Sequence, residues 1–218
     1  LLQGFRKAGY SITFASAAAR EKHSVSLESL GIEALPIKLN HPSFDRWFKS
    51  SCFDAVLFDR FLTEEQFSWR VREQLPDCML LLDTEDLHSL RHSRETAVNA
   101  NRAWEVSDWL ESPMLYRELA SILRCDLSLI ISSTELELLH TRLPFLKGKL
   151  LYLPFQFSPK DPVSAPGFSK RHGFVFMGNG KHRPNLDAIS ILKSEVWPRL
   201  RELLPDAQLT IYGAYLPD

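Results

Sequence analysis

The residues most able to do chemistry lie in one short segment that directly follows an apolar run. Residues 78–83 (CMLLLD) predict a strand, and Glu85, Asp86, His88 and Arg91 come immediately after it. Such a density of titratable groups at a strand end is typical of ligand sites in α/β proteins. His88 can orient a substrate hydroxyl or a sugar ring, and Arg91 can pair with a phosphate through its fork of donors. The alternative is that the carboxylates only cap a helix N-terminus.

A metal centre is the other chemistry that this segment allows. Its ligands would be Asp83, Glu85, Asp86 and His88, with His92 one helical turn beyond His88. The spacing matches no known ligand signature such as HExxH. We therefore expect no metal and no cofactor here.

A glycine-containing loop with three basic residues is the second candidate site. Residues 173–177 (GFVFM) predict a strand, and the following residues are Gly178, Asn179, Gly180, Lys181, His182 and Arg183. Glycine lets a phosphate approach the backbone, and cations at the start of a helix stabilise an anion. The pattern is neither Walker A nor GxGxxG, because Arg183 occupies the third glycine position. The loop predicts phosphate binding, with a plain turn as the alternative.

Arg60 is a third candidate, at the end of the strand predicted over residues 54–59 (DAVLFD). Its guanidinium can line a cleft or form a surface pair with Asp59. At the end of the strand predicted over residues 127–132, the pattern Ser132-x-x-Glu135 is explained by helix capping.

These candidates sit in a regular alternation of apolar runs and amphipathic stretches. Further strands are predicted at residues 11–15, 149–153 and 208–212, and helices at 1–9, 63–75, from Ser132 to before Pro144, and 185–204. The helix over 63–75 opens with the capping box Thr63-x-x-Gln66, and the last helix should kink at Trp197-Pro198. Continuous apolar runs suit strands that are buried on both faces of a parallel sheet. The pattern predicts an α/β, doubly wound architecture.

The proline-rich residues 154–172 predict a linker, with a domain boundary near residue 160. We expect residues 1–159 to form a Rossmann-like domain without its first strand, and residues 160–218 to begin a second one. A doubly wound domain normally begins with a strand, so we expect a strand and its loop upstream of Leu1. We expect the chain to be cut short at its other end too.

Composition narrows the class of protein further. The chain has 26 Lys and Arg against 27 Asp and Glu, a net charge of -1, which argues against a general nucleic-acid binder. Three cysteines without CxxC spacing indicate reduced thiols. Apolar runs fall short of the ~20 residues needed to span a bilayer, and the N-terminus does not look like a signal peptide. We therefore expect a cytoplasmic protein.

The last forty residues carry a resemblance to a known family. The segment FVFMGNGKHRPNLDAISILKSEVWPRLRELLPDAQLTIYGAY resembles the start of the C-terminal domain of family 4 glycosyltransferases of GT-B fold. The matching positions are His182, Pro184, Asn185, Asp187, Ala188, Trp197, Pro198, Pro205, Asp206, Ala207 and Gly213. The earlier segments DAVLFDRF, LDTEDLHSLR, DLSLIISSTELELL and LYLPF also fit, so the resemblance covers nearly the whole chain.

The resemblance implies a retaining, metal-independent transferase that uses a nucleotide-sugar. The loop Gly178–Arg183 would neutralise the donor diphosphate, which is also the leaving group. His88 falls where the family often has a cleft histidine that contacts the transferred sugar, and Arg60, Asp86 and Arg91 are possible cleft residues. The acceptor is a glycan, a lipid-linked molecule or a small molecule, and peripheral membrane contact is possible.

Two departures from the family's pattern bear on activity. The family's linker motif PNG reads Pro154-Phe155-Gln156 here, and its carboxylate pair, E-x7-E, would fall after residue 218. We therefore expect this chain to be inactive alone. Two other hypotheses stay open: a non-catalytic nucleotide or sugar-phosphate binding module, and another two-domain enzyme of similar shape, such as a sugar-nucleotide epimerase.

Overall fold

The chain is an α/β protein with parallel strands in a computed structural model that describes residues 1–20, 24–155 and 167–216. It divides into two structural units, Leu1–Phe157 and Ser158–Asp218. Most of the predicted linker, and the boundary predicted near residue 160, lie outside the described residues.

The described part of the first unit holds two parallel sheets. The strands are β1 (Thr13–Ser16), β2 (Glu33–Pro36), β3 (Ala55–Asp59), β4 (Met79–Asp83), β5 (Leu127–Ile130) and β6 (Leu150–Tyr152). β1 pairs with β2, and the larger sheet has the order β3-β4-β5-β6. Its register sets Asp59 opposite Asp83, so the carboxyl ends of β3 and β4 lie side by side.

Helices of this unit surround the larger sheet. They are α1 (Leu2–Lys7), α2 (Ser43–Lys49), α3 (Arg60–Gln74), α4 (His88–Asn99), α5 (Val106–Leu110), α6 (Pro113–Arg124) and α7 (Ser133–Arg142), with 3₁₀ turns at Glu28–Leu30 and Pro144–Lys149. α3 packs on β3, β4 and α6, and α7 packs on β5 and β6. The prediction of an α/β protein is confirmed, and the four-stranded sheet is compatible with a Rossmann-like fold.

The core of the first unit lies between the sheet and these helices. Strand β4 contributes Leu80 and Leu82, and helix α6 contributes the stripe Leu115, Leu119 and Ile122, whose spacing repeats on one helical face. Burial of such apolar area is the main term that favours folding. Of the free cysteines, Cys78 and Cys125 are buried and Cys52 is exposed.

The predicted start of the helix after β3 is wrong. The helix begins at Arg60, with Asp59 at the N-cap position, so Thr63 lies inside it and makes no capping box. The physical reason is packing: Phe61 is buried in the first turn, and tertiary contacts outweigh a local capping preference.

One of the two hydrogen bonds of the capping box predicted at Ser132 is confirmed. The Ser132 hydroxyl accepts from the Glu135 amide at 3.3 Å, as an N-cap should. The Glu135 carboxylate does not return the bond, and accepts instead from the Leu87 amide at 3.4 Å.

The second unit consists, in its described part, of a two-stranded parallel sheet and one interrupted helix. The elements are a 3₁₀ turn (Phe168–Lys170), β7 (Phe174–Met177), α8 (Arg183–Ile191), a π-helical turn (Leu192–Val196), α9 (Trp197–Leu203) and β8 (Leu209–Tyr212). The interruption predicted at Trp197-Pro198 takes the form of the π turn, because Pro198 has no N–H to donate to the preceding turn.

No helix of the described ranges is both long enough and apolar enough to cross a membrane.

Candidate functional site

The carboxyl ends of β3 and β4 bring two of the predicted candidates together. Arg60 follows β3 and Glu85 follows β4, and both have left-handed backbones, with φ of 67° and 56°. The Arg60 Nε donates to Glu85 Oε2 at 2.7 Å, and a second guanidinium N–H donates to the same oxygen. Non-glycine residues adopt this conformation at some cost, so the ion pair joins two strained loops.

The other predicted cleft residues contact one another at the end of the β4–α4 loop and in the first turn of α4. Asp86 Oδ1 lies 3.3 Å from His88 Nε2, and Asp86 Oδ2 lies 3.2 Å from Arg91 Nη1. The His88 ring, and after it the Arg91 charge, lower the pKa of Asp86. Asp86 is therefore a carboxylate held between an imidazole and a guanidinium at the start of α4.

His88 is largely enclosed, with 13% of its side chain exposed. Its ring meets the Phe61 ring edge-on, with centroids 5.6 Å apart and an interplanar angle of 90°. The approach of Nε2 to Asp86 lies outside hydrogen-bond geometry, which leaves this nitrogen without a hydrogen-bond partner among the described residues. This nitrogen is buried beside Asp86, so a ligand hydroxyl would have to displace that carboxylate to bond with it.

A buried carboxylate that the sequence analysis did not single out holds His88 in place. Glu118 of α6 is 1% exposed, and its Oε1 accepts from the His88 amide at 2.9 Å. Its Oε2 accepts from the Ser89 amide at 3.2 Å and from the Ser89 hydroxyl. The Ser89 oxygen in turn accepts from the Trp109 indole N–H at 2.9 Å. Glu118 thus accepts hydrogen bonds from the first backbone amides of α4 and caps this helix.

Burial raises the pKa of other carboxyl groups at this edge of the sheet. The pKa values of Asp59 and Asp83 are raised first by burial, and the nearby charge of Glu85 also raises both. Burial likewise raises the pKa of Glu135. Carboxylate oxygens at this edge can accept hydrogen bonds from ligand hydroxyl groups.

The residues considered for a metal do not converge on one. No group of three or more His, Cys, Asp or Glu side chains within residues 1–20, 24–155 and 167–216 is placed to hold an ion.

The second candidate site, the loop Gly178–Arg183, joins β7 to α8 in the second unit. Its backbone amides are engaged within the protein: Gly178 N donates to Tyr212 O at 2.9 Å, and Gly180 N to Ala214 O at 2.8 Å. Lys181 N donates to Asn179 Oδ1 at 2.9 Å. The sequence predicts that glycine lets a phosphate approach the backbone here, and in the structure the amides of Gly178, Gly180 and Lys181 already donate to acceptors within the protein.

Two glycines allow a close contact between loops. A Cβ on Gly180 would overlap the Tyr215 carbonyl, and a Cβ on Gly213 would overlap the Gly178 carbonyl. Two loops therefore touch through their backbones, and only glycine allows that approach. The loop also contacts α8, because the side-chain amide of Asn185 donates to Asn179 O at 3.0 Å.

The basic side chains of this loop face outward. Lys181, His182 and Arg183 are exposed, with His182 at the N-cap of α8 and Arg183 as its first residue. The Lys181 Nζ lies 3.8 Å from the centroid of the Tyr215 ring. The loop can therefore meet an anion with cationic side chains at a helix N-terminus, where the helix dipole adds to the attraction.

Sequence reasoning missed Glu118 and Tyr215. Glu118 carried a usable signal, because it interrupts the apolar stripe of Leu115, Leu119 and Ile122 on the core-facing side of α6. Tyr215 carried none, since its contact with Lys181 depends on how two loops pair.

The sequence matches no protein-family model. It also matches no curated protein at a significant level.

Proposed function

We propose that the chain belongs to a retaining glycosyltransferase of GT-B fold, similar to family 4, which moves a sugar from a nucleotide-sugar to an acceptor. The observation that carries the proposal is the placement of Lys181, His182 and Arg183 between β7 and the N-terminus of α8. In open α/β sheets, ligands bind at the carboxyl ends of the strands, and anions bind at helix N-termini.

In this proposal the second unit binds the donor diphosphate. When the bond between the sugar and the diphosphate breaks, negative charge builds up on the departing phosphate. Cations fixed beside that oxygen lower the barrier, and such electrostatic stabilisation is usually the largest catalytic term. Lys181 and Arg183 are the groups that we assign to it. Because the loop amides are bonded internally, the side chains supply most of this binding.

We assign the first unit to the acceptor side and to the transferred sugar. We assign His88 to contact with a sugar hydroxyl, which would take the place of Asp86 beside the buried Nε2, a nitrogen without a hydrogen-bond partner in the described ranges. Asp86, Arg91 and Arg60 surround this position and can bind further hydroxyls. The acceptor in this proposal is a glycan, a lipid-linked molecule or a small molecule, and a lipid-linked acceptor would bring the protein to a membrane surface.

The donor assignment is tested by binding. UDP, GDP and ADP, each with its sugar derivatives, are titrated into the chain by calorimetry, with melting curves in parallel, since a ligand of the folded state raises the melting point. Lys181→Ala should weaken binding of the preferred nucleotide about tenfold, because a charge-assisted hydrogen bond to phosphate is lost. The matched control is Lys193→Ala, in the exposed part of the π turn, which should leave affinity unchanged. Equal affinity of the wild type and Lys181→Ala would refute the assignment of Lys181 to the donor diphosphate.

Turnover separates the proposed enzyme from a binding module. In a form of the protein that transfers sugar, His88→Ala should lower kcat more than it weakens nucleotide binding, because the ring is assigned to the sugar. If only nucleotide affinity fell, the role given to His88 would be wrong. A chain that binds nucleotide in every context but never transfers would favour the non-catalytic module, and an isomerised donor would favour an epimerase.

A further inference from the structure

The ammonium group of Lys181 lies over the face of an exposed aromatic ring. Its Nζ is 3.8 Å from the centroid of Tyr215, and this tyrosine is 66% exposed. We propose that Tyr215 is a positioning residue of the donor site, which holds the Lys181 ammonium where it meets the diphosphate. The inference rests on the proposed function above.

The backbone around Tyr215 is fixed by the neighbouring glycine loop. The Gly180 amide donates to Ala214 O at 2.8 Å, and the Tyr215 carbonyl stands where a Cβ of Gly180 would be. Tyr215 itself has a left-handed backbone, with φ of 59°. A non-glycine residue keeps this conformation only where its surroundings enforce it. The tight contact between the two loops therefore sets the direction from which the ring reaches Lys181.

The position of the Lys181 ammonium matters because the loop Gly178–Arg183 must bind an anion mainly through its side chains. The amides of Gly178, Gly180 and Lys181 already donate within the protein, so an anion must be bound largely by flexible cations. A lysine has four rotatable carbon bonds, and ordering them on binding costs entropy. The ring quadrupole attracts the ammonium from one side and leaves its remaining N–H groups free to point at a phosphate.

The size of the effect follows from the exposure of the pair. Cation–π contacts at exposed sites change equilibria by roughly twofold to fivefold. Tyr215→Leu should therefore weaken binding of pyrophosphate and of UDP by about that factor. Tyr215→Phe keeps the ring and should bind like the wild type. Tyr215→Trp should bind at least as tightly, because indole attracts cations more strongly than phenol does.

The experiment is a double-mutant cycle, measured by calorimetry with pyrophosphate and UDP as probes. If Tyr215 acts through Lys181, the double variant Lys181→Ala/Tyr215→Leu binds no more weakly than Lys181→Ala alone. Additive losses would overturn the inference, and so would weak binding by Tyr215→Phe and Tyr215→Trp, since both retain a ring. If Tyr215→Leu fails to fold, Tyr215→Gln, which also removes the ring, carries the same test.

Failure of the inference and failure of the proposed function give different results. If Lys181→Ala weakens binding and Tyr215→Leu does not, the donor site stands and the role of Tyr215 is refuted. If the wild type binds neither probe, or if Lys181→Ala binds both as well as the wild type does, the proposed donor site is wrong, and the inference falls with it.

Discussion

Replacement of Glu118 by glutamine tests the support beneath His88. Glutamine keeps the shape of the side chain but exchanges one acceptor oxygen for an NH₂ group. Three donors converge on the Glu118 carboxylate: the amides of His88 and Ser89 and the Ser89 hydroxyl. The glutamine oxygen can serve only part of this set, and the new NH₂ group must face an N–H.

The expected loss follows from the number of donors that remain without a partner. One buried donor without an acceptor costs about 1–3 kcal/mol, so Glu118→Gln should lower the free energy of unfolding at pH 7 by about that amount. Glu118→Ala would leave all three donors without this acceptor and open a cavity, at about 3–5 kcal/mol. That is a large fraction of the stability of an ordinary domain, so the glutamine variant is the better choice for measurement.

The assay is urea denaturation followed by tryptophan fluorescence. Trp109, one of five tryptophans in the chain, is buried and donates to Ser89, so loss of this network contributes to the change in emission. The matched control is Glu137→Gln on the exposed face of α7, which should change stability by less than about 0.5 kcal/mol. Equal denaturation midpoints for Glu118→Gln and the wild type would refute the assigned bonding.

The pH dependence gives a second test of the same carboxyl group. Burial raises the pKa of Glu118 above its usual value, so the folded state binds the proton more firmly than the unfolded state does. Stability from this group is full below the unfolded pKa and declines as the pH rises through the folded pKa. The advantage of the wild type over Glu118→Gln should therefore be larger near pH 4 than near pH 7. A gap that widens with rising pH would contradict the direction of the shift.

Three further changes should act through other parts of the fold. Arg124→Ala leaves the fully buried Glu64 without its partner and should lower the free energy of unfolding, measured by urea denaturation, by about 2–3 kcal/mol. The loss is smaller than for a fully enclosed pair because Arg124 is half-exposed. Replacing both residues by leucine should recover most of that loss. Asp108→Asn removes the Arg102 contact that lowers the Asp108 pKa to about 2. It should therefore lower the melting temperature at pH 7 and have progressively less effect as the pH falls from about 4 towards 2. Gly213→Ala should disrupt the contact between the two glycine loops and weaken nucleotide binding, whereas a variant with unchanged melting and binding would show that the loops do not pack this way.

The sequence predicts the sheet better than it predicts the helix starts. Apolar runs such as residues 78–83 were clear because parallel strands are buried on both faces, and β4 occupies Met79–Asp83. The Thr63 capping box failed because the first turn of the helix is fixed by burial of Phe61, whose ring contacts His88, a residue distant in the sequence. Local patterns record propensity, whereas the register of a helix on a sheet depends on packing that no short segment contains.

The candidate site could be predicted only where its residues lie close together in the sequence. Asp86, His88 and Arg91 lie within six residues of one another, and the structure brings them together. Glu118 is thirty residues from His88 and reaches it through the packing of α6 on α4. The prediction of phosphate binding at the loop Gly178–Arg183 combined glycine with basic residues and a helix N-terminus, and it stays a prediction. Glycine also serves a close contact between backbones, which is its use at Gly180.

The order of strands in the larger sheet has a consequence for how the protein is made. β3, β4, β5 and β6 lie side by side in the order in which they leave the ribosome, and each pairs with its predecessor. Among these four described strands, none has to wait for a later segment to be inserted beside it. Each newly synthesised strand and the helical segment before it can dock on the edge already present, with only that segment to span. We therefore expect the sheet to be assembled stepwise during translation, starting from the β3–β4 pair.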